Sequence, residues 1–135
     1  MFTKVHHVTY VVRNVQQMAE YLEKNFGLKP ERTDNVGERG FKSILYRVGP
    51  TLVDFFEPTR QDTAMARQLR ESGPGVAHVA WGVQGIDRAF RDLKRKGNQM
   101  RGEAPSTSPF GYKTASIEPG SSQGIYFQLA EGEVV

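Results

Sequence analysis

Val5-His6-His7-Val8-Thr9-Tyr10-Val11-Val12 and Val76-Ala77-His78-Val79-Ala80-Trp81-Gly82-Val83 are the stretches whose reading decides the fold. Set one above the other, His7 falls on His78, Val on Val, and Tyr10 on Trp81. Each run alternates as a strand does, with His7, Thr9 and Val11 on one face and His6, Val8, Tyr10 and Val12 on the other.

The match continues outward without a gap. After Asn14, a natural N-cap, residues 15–26 place Val15, Met18, Ala19, Leu22 and Phe26 at helical spacing, and Gly27 stops the run. Val15 meets Ile86, Leu22 meets Leu93, and Gly97 stands where Gly27 stood. Three strand-like pieces follow the first helix, about 28–33, 41–48 and 51–57, with Gly49-Pro50 as the hairpin turn. The second half answers with a short strand near Gln99, then about 112–118 and 124–131. Residues 62–72 read as a connecting helix closed by Gly73-Pro74-Gly75. A repeat of this length is a fold-level signal. It predicts one α+β domain over 1–135, built from two tandem βαβββ modules (about 4–58 and 75–131) joined by a linker helix (about 61–73).

Composition agrees with one compact domain. A chain of 135 residues buries roughly two-thirds of its unfolded surface. Eight Phe, five Tyr and one Trp supply a core. The absence of cysteine excludes disulfides, thiolate metal sites and cysteine nucleophiles, and suits a reducing compartment. No apolar run approaches the roughly 18–20 residues that cross a membrane, and Met1-Phe2-Thr3-Lys4 runs straight into a strand pattern. The expectation is a cytoplasmic protein with no membrane partner. Net charge is only +3. The cluster Arg88, Arg91, Lys94, Arg95 and Lys96, interleaved with Asp87 and Asp92, reads as a solvated helix face rather than a nucleic-acid patch. Docking the phosphates of a large cofactor-like substrate is the other reading of the same residues.

Side-chain size along the repeated strands locates the open space. Val8, Tyr10 and Val12 match Val79, Trp81 and Val83, all bulky, and should pack under the helices. Thr9 and Val11 match Ala80 and Gly82, which are small and should leave a cavity on the histidine face. Asp54 lies between the core residues Val53 and Phe55, and Gln128 between Phe127 and Leu129, so both should point toward that roomy surface. Two imidazoles, one carboxylate and a side-chain amide form a hard-to-borderline ligand set. It suits one divalent ion, without distinguishing Co, Mn, Ni, Zn or Fe. Such an ion would keep net positive charge and act as a Lewis acid. A strand His or Asp is also commonly a hydrogen-bonded core group. His6, on the helix-side face, is read as structural.

These features resemble the vicinal-oxygen-chelate (glyoxalase/bleomycin-resistance/dioxygenase) superfamily over nearly the whole chain, and within it the methylmalonyl-CoA epimerases. Asp54-Phe55-Phe56-Glu57-Pro58 is similar to that family's Glu-Leu-Leu-Glu-Pro strand, and Phe110-Gly111-Tyr112-Lys113 to its Gly-x-Lys loop. Pro119 to Glu131 follows its Pro-x-Ser-x-Gly-Val-x-x-Glu-Leu ending. The resemblance implies a curved, cupped mixed sheet around a metal held by His7, Asp54, His78 and Gln128, with Glu57 facing away. It also implies a catalytic role for Glu38, in Glu38-Arg39-Gly40-Phe41, which otherwise reads as an exposed hairpin charge.

The activity implied is that of a divalent-metal-dependent isomerase or lyase. It would act through a metal-stabilised enolate on a small carbonyl or acyl-CoA substrate, with Glu38 taking the α-proton. One departure matters. Where the family carries a glutamate on the last strand, this chain has Gln128, which cannot shuttle a proton. Asp54, at the pseudo-symmetric position, is then the candidate second base. A glyoxalase I-like lyase on a thiol adduct and a non-catalytic small-molecule-binding protein of the same fold are the alternatives. Relatives form dimers, so a homodimer is expected.

Overall fold

The computed structural model of the protein describes residues 1–135. Its elements run β1 (Phe2–Val11), α1 (Val15–Phe26), β2 (Arg32–Val36), β3 (Phe41–Val48) and β4 (Thr51–Pro58). After α2 (Ala64–Ser72) come β5 (Gly75–Val83), α3 (Ile86–Arg95), β6 (Ser106–Thr107), β7 (Lys113–Ile117) and β8 (Phe127–Glu131). The βαβββ order therefore occurs twice, with a helix between, as the repeat predicts. No helix is long and apolar enough to cross a membrane.

Contacts divide the chain into two compact units, one of residues 7–77 and one of residues 1–6 with 78–135. In the first, the later part of β1 runs parallel to β4, β4 is antiparallel to β3, and β3 to β2. In the second, β5 runs parallel to β8, β8 is antiparallel to β7, and β7 to β6. The sheet pairing is thus mixed within each unit.

Local chemistry explains the helices. Asn14 Oδ1 accepts from the Gln17 amide at 2.8 Å, satisfying one of the free N–H groups that begin α1. Gly27 closes the helix in a left-handed conformation at φ 67°, which costs a glycine nothing sterically. The apolar stripe of α1 (Val15, Met18, Ala19, Leu22) packs on Val12, Ile44, Tyr46 and Phe55. In the other unit Ile86, Ala89 and Phe90 of α3 pack on Val83, Ala115, Ile117 and Leu129, with Trp81 and Phe127 at the margin. Each large apolar side chain so buried contributes about 1.5–3 kcal/mol before its ordering cost. The basic residues Arg88, Arg91, Lys94, Arg95 and Lys96 are all exposed.

Four boundaries differ from expectation, among them the last strand, which begins at Phe127 rather than about 124. The second strand begins at Arg32, not at Leu28, because Leu28 N–H still bonds back to Leu22 O and pairing with β3 starts only around Glu31 N–H on Leu45 O. Near Gln99 there is a single bridge, Met100 to Ile117, rather than a strand. Gly102 turns away there with φ 75°, and the short β6 follows later. Strand β1 starts two residues early, where the Phe2 ring stacks on Trp81 at 5.0 Å.

Candidate functional site

In the first unit the face of the sheet that carries His7 also carries Thr9 and Val11 from β1 and Leu52, Asp54 and Phe56 from β4, paired in that order across a parallel ladder. All six are buried, His7 and Asp54 to 2% and 1% exposure. Strand β3 adds Ser43 and Leu45, the latter opposite Asp54. This is an unusual place for a carboxylate. Both Asp54 oxygens lack a hydrogen-bond partner, as do the hydroxyls of Thr9 and Ser43. Burial pushes the Asp54 pKa up to about 7, only partly opposed by the nearby Thr9 hydroxyl and its own backbone.

The second unit places His78 and Gln128 together. Gln128, opposite Ala80 on β5 and Ser116 on β7, lies close enough to His78 to act on its titration. Burial lowers the His78 pKa to about 4; Gln128 opposes the shift and the Arg101 charge adds to it. The imidazole is therefore neutral at physiological pH, which is the form that ligates metals. Gln128 Nε2 donates to the Tyr126 hydroxyl at 3.2 Å, and Ser116 Oγ shares that hydroxyl at 2.9 Å. The Gln128 amide oxygen, buried, has no partner. Tyr126 also stands against the His78 ring at 5.3 Å, and the Arg101 guanidinium lies 5.0 Å from the centroid of the Tyr126 ring while pairing with Glu118.

The donor chemistry fits a divalent cation. The two unpartnered Asp54 oxygens in the first unit, and the unpartnered Gln128 amide oxygen and neutral His78 imidazole in the second, are each donor types that such an ion takes. A bound cation would also reverse the burial effect on Asp54. As they stand, no three His, Asp or Glu side chains gather closely enough to hold a metal ion, so the fit rests on donor type and on the orphaned oxygens.

The other expected residues fall as follows. Glu38 sits in a 3₁₀ turn, Gly37–Arg39, between β2 and β3, with its side chain exposed. Its backbone carbonyl accepts from Arg60 at 3.2 Å. The turn adjoins the Phe41 end of β3, about 13 Å along the strand from the level of Asp54 at ~3.3 Å per residue. Glu57 accepts the Val15 N–H at the start of α1 through Oε1 at 3.0 Å, so its carboxylate is a helix cap. His6 is buried, with Nε2 2.8 Å from Gly132 O and its ring edge-on to Tyr112, consistent with a structural role.

One expectation is corrected. Gly82 does not open a cavity. A Cβ there would meet Thr3 Oγ1 and Lys4 Cγ at 3.0 Å, so the small residue is needed because the start of β1 runs against it. Tyr126, Ser116 and Arg101 were not anticipated. The only signal for Tyr126 was its place two residues before Gln128, on the same side of the chain.

Residues 6–113 match the family described as the Glyoxalase/Bleomycin resistance protein/Dioxygenase superfamily. Human mitochondrial methylmalonyl-CoA epimerase is 21% identical over 95% of this chain and 73% of its own length. The uncharacterised Bacillus subtilis protein YqjC is also 21% identical, over 95% of this chain and 91% of its own. Among solved structures, Streptomyces coelicolor methylmalonyl-CoA epimerase in complex with 2-nitronate-propionyl-CoA superposes with a TM-score of 0.89 at 21% identity, covering 99% of this chain and 100% of that one. The Mycobacterium tuberculosis epimerase gives 0.89 at 20% identity, covering 98% and 89%. At these identities the structural likeness speaks for the fold alone.

Proposed function

Because the chain belongs to the Glyoxalase/Bleomycin resistance protein/Dioxygenase superfamily, we propose that it is a divalent-metal-dependent epimerase that moves the α-proton of a small acyl-CoA thioester, on the pattern of its methylmalonyl-CoA epimerase relatives. The observation that carries this reading is the Asp54 carboxyl, sealed from water with neither oxygen hydrogen-bonded. A buried group left in that state costs about 1–3 kcal/mol, more if charged, unless a ligand or cation completes it. In this reading His7, Asp54 and His78, with Gln128 through its amide oxygen, hold one ion. When bound, that ion would supply electrophilic pull on the thioester oxygen.

The chain's own residues then divide the proton work. Glu38, exposed on its turn, takes the α-proton from one face of the substrate carbon. Asp54, at the pseudo-symmetric position, serves the other face in place of the missing last-strand glutamate. Tyr126, its hydroxyl shared with Ser116, holds the Gln128 side chain by its nitrogen, leaving its oxygen for the ion.

The test is proton exchange. Full-length protein loaded with Co or Mn is incubated with methylmalonyl-CoA in D₂O, and the α-proton signal is followed by NMR. Exchange well above a metal-only control, reduced about 10²–10⁴-fold in Glu38→Gln, is the expected result. Exchange no faster than the control, with methylmalonyl-CoA and with other 2-substituted acyl-CoA thioesters, would sink the proposal.

A second reading is a non-catalytic small-molecule-binding protein of the same fold, and one observation favours it: no three His, Cys, Asp or Glu side chains form a group that could hold a metal ion. Protein that binds acyl-CoA but neither metal nor deuterium would fit it.

A further inference from the structure

The helix side of the first unit contains an apolar cavity of about 420 Å³ that the proposed chemistry does not use. Met18 and Leu22 of α1 form one wall, Tyr46 and Phe55 of β3 and β4 the other. Phe26 and Val48 line it as well and are 64% and 51% exposed, so apolar surface continues from the cavity to solvent. Its volume falls within the roughly 300–1,000 Å³ typical of small-ligand sites.

Two further facts select the ligand. Tyr46 is only 2% exposed, and its hydroxyl, sealed from water, has no hydrogen-bond partner. Buried phenols nearly always find one, so a donor lies behind this wall without an acceptor, within a ligand's reach only once a side chain yields. No Lys, Arg, Asp or Glu lines the cavity. The charge that acts on Tyr46 is the carboxylate of Glu23, which repels an anion. A carboxylate ligand would lose its hydration here with no cation to receive it.

We propose that this cavity is a binding site for a small uncharged amphipathic molecule, an apolar body carrying one carbonyl or ether oxygen that accepts from the Tyr46 hydroxyl. Met18, unbranched and adaptable, is the side chain that yields to admit it. The site is independent of the metal reading, because none of its residues is among the proposed ligands.

A matched set of probes tests it: butyrophenone, butylbenzene and 4-phenylbutyrate, titrated into the full chain and followed by amide shifts in α1, β3 and β4. Butyrophenone should saturate, and butylbenzene and 4-phenylbutyrate should each bind at least roughly tenfold more weakly. Tyr46→Phe should weaken butyrophenone by roughly tenfold and leave butylbenzene unchanged. Leu22→Trp, which fills the space, should abolish both, and Tyr46→Phe alone decides the matter if Leu22→Trp does not fold. No saturable shift, shifts mapping elsewhere, or equal butyrophenone affinity in wild type and Tyr46→Phe overturns the proposal. So does concentration-dependent self-association through Phe26 and Val48 without ketone binding, which would make this face a contact between copies.

Discussion

Asp54 and Thr9 are direct partners across the parallel β1–β4 ladder, both sealed from water, and no side-chain oxygen of either is hydrogen-bonded. A donor and a carboxyl stand side by side in the interior, each still available. The arrangement makes the metal-free chain sensitive to pH.

The direction of that sensitivity follows from linkage. The folded Asp54 pKa of about 7 lies above the ordinary aspartate value of 3.8, so the native state holds the proton more tightly than the unfolded chain. Its favourable contribution is full below about pH 4, falls as pH rises to about 7, and is flat beyond. The span corresponds to an order of 4 kcal/mol. Denaturant melts of metal-free protein across this window should show stability falling with pH, and Asp54→Asn should flatten that slope. An Asp54→Asn variant with an unchanged slope would mean that the carboxyl is not buried as described.

Glu57 and Glu131 occupy equivalent places in the repeat, three residues after Asp54 and Gln128. Each accepts from the start of its own module's helix: Glu57 from Val15 N–H, Glu131 from Gly85 and Ile86 N–H at 2.6 and 2.9 Å. Capping groups of this kind contribute about 0.5–2 kcal/mol. Glu57→Ala and Glu131→Ala should each lower stability by that amount, with the doubly bonded Glu131 costing more, and neither should change metal content. Loss of bound metal in Glu57→Ala with stability unchanged would make Glu57 a metal ligand rather than a cap.

His6 and His7 are neighbours in sequence with separate tasks. His6→Phe removes the bond to Gly132 O, on an exposed residue that water can reach, so thermal or denaturant melts should record a loss of about 0.5–1.5 kcal/mol. Its metal stoichiometry should match wild type, whereas His7→Ala should lose metal. Equal metal loss in both variants would refute the separation.

Gly82→Ala places a methyl group within 3.0 Å of Thr3 and Lys4, tighter than ordinary contact. A loss of about 1–3 kcal/mol is expected, measured by melting, from overpacking where β1 begins. An unchanged melt would show that this end of β1 yields freely.

The parts legible in the sequence were those governed by local rules. Asn14, Gly27 and the apolar stripe from Val15 to Leu22 announce α1 because capping and helical periodicity act within a few residues. Strand alternation put Asp54 and His7 on one face, and Val53, Phe55 and Tyr10 on the other. What was not legible depends on partners distant in the chain. Leu28 has strand-like neighbours, yet pairing with β3 begins only beyond it. Gly82 looked like a wall of a cavity because its size was visible and the approach of Thr3 and Lys4 was not. Tyr126 was passed over because its interest lies in reaching Ser116, Gln128 and His78 at once, which no spacing rule announces. Glu131 could have been found: the repeat places it in register with Glu57.

The central claim is that His7, Asp54 and His78, with Gln128, hold one divalent ion. Elemental analysis of the full chain, after reconstitution with Mn, Co, Ni, Zn or Fe(II) and desalting, tests it most directly. About one ion per chain, lost in His78→Ala and in Asp54→Ala but kept in His6→Phe, is the predicted result. No retained ion under any of these conditions, or one retained equally by His78→Ala, would contradict the account.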